Sequence, residues 1–128
     1  MLARLRMRLQ GLSGIELTSD GARCSLCVPA SEPLFAGHFP TYPLVPGVVL
    51  IEAAVQLAAA WAQRKSRLGA IHEARFYDEV RPDDTVVVWL KRQGVGFTGG
   101  VLRGDKVCAT MSFTIEDAPA SRAGEAVA

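Results

Sequence analysis

The chain predicts an α+β domain in which an antiparallel sheet wraps around one long buried central helix. Three observations carry that prediction. From Val48 to Ala62 the only polar side chains are Glu52, Gln56 and the indole nitrogen of Trp61, so a helix here is apolar on every side. Such a helix belongs inside a domain, and this one is too short and too interrupted to span a membrane comfortably. Strand-like runs punctuated by turn residues account for most of what remains. No internal repeat divides the 128 residues, so residues 1–116 are expected to form one domain with a core that needs no disulfide or metal.

In chain order, Leu5, Met7 and Leu9 alternate with Arg4, Arg6 and Arg8, which is the two-residue period of a strand over residues 2–10. That spacing and the missing apolar core argue against a helical presequence and a signal peptide, respectively. A second strand is expected over Ala22 to Val28, entered through the turn Ser19-Asp20-Gly21. Pro29, Pro33, Pro40, Pro43 and Pro46 then rule out a helix or a central strand between 29 and 46. The helix should start near Gly47, with Pro46 suited to its first turn. It should run to about Arg67, with Arg64, Lys65 and Arg67 at its negative end and Gly69 as the stop. Strands follow over Ile71–Val80, Thr85–Gln93, Phe97–Leu102 and Lys106–Ile115, separated by Pro82-Asp83-Asp84, Gly94–Gly96 and Gly104-Asp105. Residues 117–128, rich in Ala, Ser and Gly, are expected to be a disordered tail. One buried helix in a curled antiparallel sheet is the hot-dog arrangement.

A formal net charge of +1 gives no reason to propose nucleic acid as a partner, and nothing points to a membrane. Cys24-x-x-Cys27 resembles half a zinc site, but no second pair exists and neither histidine is close. On a strand those two thiols point to opposite faces. Buried, reduced cysteines in a cytoplasmic protein are the simpler reading of Cys24, Cys27 and Cys108, and no metal is expected. Trp61, Trp89 and Phe97 are most simply core or interface residues.

The chemistry concentrates between Gly37 and Gln56. A carboxylate at Glu52 among Ile51, Ala53 and Val55 is costly to keep charged, so burial should raise its pKa and fit it for a general acid. Gln56, one turn on, stands within reach to orient it. The alternative is a Glu52 that snorkels outward or makes a structural hydrogen bond. His38, in Ala36-Gly37-His38-Phe39-Pro40, titrates near neutrality and suits a base; a backbone-bonded loop histidine is the plainer alternative. Gly47 opens the helix, where the first N–H groups lack intrahelical partners and carry the positive dipole end. Without a side chain at Gly47 a carbonyl could approach them closely, as in an oxyanion hole, although Pro-Gly is also a common helix-start signal. His72, in a strand-like run, is assigned no role. Base, donors and acid together suit removal of an α-proton beside an activated carbonyl and acid-assisted loss of a β-hydroxyl.

The run Gly37-His38-Phe39-Pro40-x-x-Pro43-Leu44-Val45-Pro46-Gly47-Val48-x-x-Ile51-Glu52-Ala53-x-x-Gln56 closely resembles the bacterial 3-hydroxyacyl-[acyl-carrier-protein] dehydratases (FabA/FabZ-like). Glu73-Ala74-Arg75-Phe76, Val80-Arg81-Pro82-Asp83-Asp84 and Gly104–Ala109 look like later blocks of the same family. The resemblance implies dehydration of a 3-hydroxyacyl thioester to the trans-2-enoyl thioester. His38 would be the base, Glu52 the acid, Gly47 with Val48 the carbonyl-binding donors and Gln56 a support. It implies no cofactor beyond the phosphopantetheine of an acyl carrier protein partner. It also implies a homodimer or higher homo-oligomer, or a heterodimer with a related subunit, in which His38 of one chain faces Glu52 of the other. Arg4, Arg6, Arg8, Arg75, Arg81, Lys91 and Arg92 could meet an acidic carrier protein or be ordinary solvated charges.

The segment before Gly11 and the connection Arg64–Ala70 look shorter than in fatty-acid-type relatives. This suggests a specialised fatty-acid, polyketide-like or aryl polyene-like role. Glutamate rather than aspartate at position 52 favours dehydration without isomerisation. A hot-dog acyl thioesterase and a non-catalytic carrier-binding subunit are the alternatives.

Overall fold

The computed structural model describes residues 12–32, 35 and 43–118. The strand expected over 2–10, His38, and the tail beyond Ala118 lie outside the described residues. The elements are β1 (Leu12–Leu17), β2 (Gly21–Cys27), α1 (Gly47–Ala62), β3 (Ser66–Phe76), β4 (Thr85–Gln93), β5 (Gly96–Arg103) and β6 (Lys106–Asp117). The six strands form one antiparallel sheet in the order β1-β2-β4-β5-β6-β3, and α1 packs against every strand on its concave side. This is the hot-dog arrangement that the sequence predicts.

The inward face follows from alternation. Val86, Val88 and Leu90 of β4 are buried beside Ala22, Cys24 and Leu26 of β2, while Arg23, Val87 and Trp89 face outward. They share the core with Ala53, Ala54, Val55, Leu57 and Ala58 of α1, whose alanines let the helix sit close to the sheet. Phe113, Val101 and Cys108 close the core from the other half of the sheet. Gly100 lets β5 pass under Trp89: a Cβ there would lie 2.8 Å from the Ala109 carbonyl oxygen and 3.0 Å from the indole Nε1.

Several boundaries differ from the expectations. The helix ends at Ala62, not near Arg67, because Gln63 adopts the left-handed conformation (φ 58°, ψ 41°). Its N–H donates to Ala60 O at 3.2 Å and that of Arg64 to Ala59 O at 3.4 Å, the two bonds of a Schellman motif. Arg64 and Lys65 therefore lie beyond the helix, while Arg67 and Gly69 belong to β3, where Gly69 faces Thr114 instead of stopping a helix. β3 accordingly begins at Ser66 rather than Ile71 and ends at Phe76 rather than Val80. Pro46 is the N-cap, with extended ψ 149°, one position ahead of the first turn. β1 was not anticipated at all, and β6 runs on through Asp117, where the tail was expected to begin. Cys24 and Cys108 are buried, but Cys27 is only half-buried.

Candidate active site at the start of the central helix

Pro46 places α1. Its carbonyl accepts from Val49 N at 2.9 Å and Leu50 N at 3.4 Å, so the helical ladder closes first onto Pro46. The N–H groups of Gly47 and Val48 precede those bonds and, among the described residues, donate to no backbone carbonyl. Val45 N donates to Val80 O at 2.8 Å, tying this start to the chain beyond β3. Val48 itself is 45% exposed, so the first turn is open to a ligand.

Glu52 is buried, only 8% exposed, on the second turn of α1. Gln56 Nε2 donates to its Oε2 at 3.3 Å, as the one-turn spacing predicts. The structure thus brings Glu52 and Gln56 together and excludes a Glu52 that snorkels into solvent. Val48, Glu52 and Gln56 share one stripe of the helix, whereas Gly47 and Glu52, five residues apart, diverge by about 140° around the axis. Gly47 instead shares its side with Leu50. The Gly47 side and the acid therefore start from one helix but face different directions, with Val48 on the side of the acid.

On the Gly47 side lies a groove of about 420 Å³ lined by Leu44, Val45, Leu50, Phe76, Tyr77 and Val80, with Asp78 and Glu79 at its rim. The rim is braced from the β5–β6 hairpin. Arg103 donates to Asp78 Oδ2 at 3.0 Å and to the Glu79 carbonyl, and Lys106 Nζ lies 3.7 Å from the same Asp78 oxygen. The backbone N–H of Glu79, donating to Asp78 Oδ1 at 2.8 Å, is the main reason the Asp78 carboxyl sits below its ordinary pKa; the two cations add to it.

Phe76 is the residue that sequence reasoning missed as part of this site. The Glu73-Ala74-Arg75-Phe76 block stood out, but nothing local says that its aromatic ring would reach the helix start. His72, to which no role is assigned, is exposed at an irregularity of the β3–β6 pairing. Among the described residues no group of three or more His, Cys, Asp or Glu side chains could hold a metal ion, and no helix is long and apolar enough to cross a membrane.

Fold and site together define a hot-dog protein with a buried carboxylate on its central helix and open donors at that helix's first turn. The sequence model of the ApeI-like family, described as ApeI dehydratase, matches residues 15–110, and the chain belongs to this dehydratase family. It is 36% identical over 108 residues to a 3-hydroxyacyl-[acyl-carrier-protein] dehydratase FabZ of Geobacillus thermodenitrificans, covering 73% of this chain and 74% of that protein. A FabZ of Pseudothermotoga lettingae is 39% identical over 89 residues, a match that spans 64% of each chain, just under two thirds of that relative's length.

Among solved structures, one described as the dehydratase heterocomplex ApeI:P from Xenorhabdus doucetiae is similar with a TM-score of 0.71 and 20% identity, covering 81% of this chain and 95% of that one. The PaaI protein from the phenylacetic acid degradation operon of E. coli is similar with a TM-score of 0.65 and 18% identity, covering 89% and 88%. At these identities the likeness concerns the fold.

Proposed function

We propose that the protein dehydrates a 3-hydroxyacyl thioester, carried on the phosphopantetheine of an acyl carrier protein, to the trans-2-enoyl thioester. The observation that carries this reading is a buried Glu52, oriented by Gln56, on the same helix whose first turn leaves the Gly47 and Val48 N–H groups without a backbone acceptor among the described residues, beside an apolar groove. Family membership supports the reaction class. In the proposed mechanism the thioester carbonyl accepts from Gly47 and Val48, and enolate charge developing there is stabilised by fixed donors at the positive end of the helix. His38 takes the α-proton. The electron pair left on the α-carbon forms the double bond to the β-carbon as the C–O bond breaks. Glu52 acts as the acid and gives its proton to the departing hydroxyl, which leaves as water.

The helix geometry favours a site made from two chains. Glu52 does not line the groove on the Gly47 side of its own helix, so a substrate lying in that groove would take its acid from a second chain. β3 supports this, since among the described residues no strand pairs with its outer edge, and Ile71 is exposed on it. The second chain is another copy of this protein or a related subunit.

Incubation with 3-hydroxyacyl thioesters on a carrier protein, followed by mass spectrometry, tests the reaction: loss of water with the thioester intact is expected. Free acid and thiol would make the protein a thioesterase; binding without either product would make it a carrier-binding subunit. Mixing inactive His38→Ala and Glu52→Ala chains tests the shared site. Recovery of part of the activity is expected for two copies of this chain. No recovery after verified subunit exchange would place both groups in one chain or require a different subunit.

A further inference from the structure

We propose that Phe76 determines which acyl groups this protein accepts, its ring forming the wall of the groove beside Gly47; this rests on the dehydratase reading above. The contact is close. A Cβ added at Gly47 would lie 2.8 Å from Phe76 Cζ, 2.9 Å from Cε1 and 3.2 Å from Cε2. The far edge of the ring thus occupies the space that a side chain at position 47 would fill. It stands next to the N–H groups assigned to the thioester carbonyl.

Two further observations separate this from ordinary core packing. Phe76 is 50% exposed, so much of its ring is not needed to fill the interior. Its backbone is nevertheless anchored: Tyr77 N donates to Cys108 O at 2.8 Å, Asp78 N reaches the same oxygen at 3.3 Å, and Arg103 holds the Asp78 carboxylate. A fixed backbone with a half-free ring means that the side chain, rather than the strand, yields to a ligand. Turning the ring about its two side-chain torsions changes the groove without breaking the sheet.

The groove, about 420 Å³, falls within the roughly 300–1,000 Å³ range of small-molecule sites, and Leu44, Leu50 and Val80 continue its apolar lining past the ring. A thioester whose carbonyl sits at Gly47 places its acyl carbons within reach of Phe76. A wall at that point discriminates by length and bulk.

The test uses the full chain with Phe76→Ala and Phe76→Leu, each checked by thermal unfolding against the wild type. kcat/KM is measured over 3-hydroxyacyl thioesters graded from short to long. For Phe76→Ala the long-to-short ratio is expected to rise about tenfold, the order of discrimination that a few buried carbons supply, with Phe76→Leu intermediate. A ratio within about twofold of wild type in both folded variants would overturn the proposal. Gly47→Ala gives an independent reading of the contact. Its loss of activity should shrink when Phe76→Ala is also present, and an equal loss in both backgrounds would also overturn it.

If the wild type dehydrates no member of the series, the reaction reading falls, not this one. Binding of non-hydrolysable 3-hydroxyacyl pantetheine thioethers of the same lengths then decides it. A comparable shift in the Kd ratio for Phe76→Ala supports Phe76 as the selecting wall, and an unchanged ratio refutes it.

Discussion

The two ends of α1 are built on opposite principles. At the C-terminal end every local device closes the helix: Gln63 and Arg64 return their N–H groups to Ala60 and Ala59, and Trp61 Nε1 donates to Thr18 O at 3.0 Å. The Trp61 ring meets Phe97 edge-on at 5.7 Å, and the Arg92 guanidinium lies 5.5 Å from the Trp61 centroid. At the N-terminal end, among the described residues, no side chain caps the helix and the Gly47 and Val48 N–H groups meet no backbone acceptor, and a half-exposed aromatic ring stands where a side chain could have been. One end uses its hydrogen-bonding capacity on the fold, while the other, among the described residues, keeps it for a ligand. Substitutions should therefore divide cleanly, with stability effects at the closed end and turnover effects at the open end.

The largest effect is expected from Glu52→Gln, which keeps the shape but removes the acid. Turnover should fall by about 10²–10⁴-fold with little change in thermal midpoint. A variant that retains near-wild-type turnover would remove Glu52 from the mechanism. Trp61→Ala should act in the opposite sense. It is expected to lower stability by about 2–3 kcal/mol, less than for a fully buried tryptophan, since Trp61 is half-buried. Denaturant titration measures this, and kcat of the folded fraction should stay near wild type. If Trp61→Ala mainly changes kcat, the division between the two ends fails.

Burial raises the Cys24 thiol from its ordinary value near 9.0 to about 11. Its folded pKa lies above its unfolded one, so the associated stability is complete below about pH 9 and is lost as pH rises through about 11. At pH 8 native Cys24 should resist alkylation while half-buried Cys27 reacts sooner; mapping the labelled peptides checks the order. Equal rates in the native protein would contradict the packing of β2 against α1. The smallest effect belongs to Gln63→Gly. Relieving a left-handed non-glycine residue should stabilise by about 0.5–1 kcal/mol, raise the thermal midpoint by a few degrees and leave turnover unchanged. A destabilised variant would show that the Gln63 side chain, rather than its backbone, secures the helix end.

The start of α1 was legible because its signals are local: a proline, a glycine and then the apolar residues Val48, Val49, Leu50 and Ile51. Glu52 and Gln56 stood out for the same reason, as polar groups on a helix that must be buried. The other end was misread because Arg64, Lys65 and Arg67 look like the basic last turn of a helix, and the residue that turns the chain is a glutamine rather than a glycine. β1 was invisible because it is an edge strand, largely exposed, and Gly14 (φ 62°) interrupts its register between Ser13 and Glu16. A strand with little to bury shows little alternation. β3, with two irregularities against β6, blurs the period in the same way.

By itself, then, the sequence determined that one apolar helix begins at Gly47, carries a buried carboxylate and lies within an antiparallel sheet. Steric rules and hydrophobic periodicity act over a few residues and need no knowledge of the fold. Only the tertiary structure decided that Phe76 rests on Gly47 and that Arg103 braces the rim. Those meetings depend on how a twisted sheet returns distant residues to the helix start. The structure also showed that the helix stops at Gln63, where a closing Schellman motif overrides the preference of a non-glycine residue for the right-handed region.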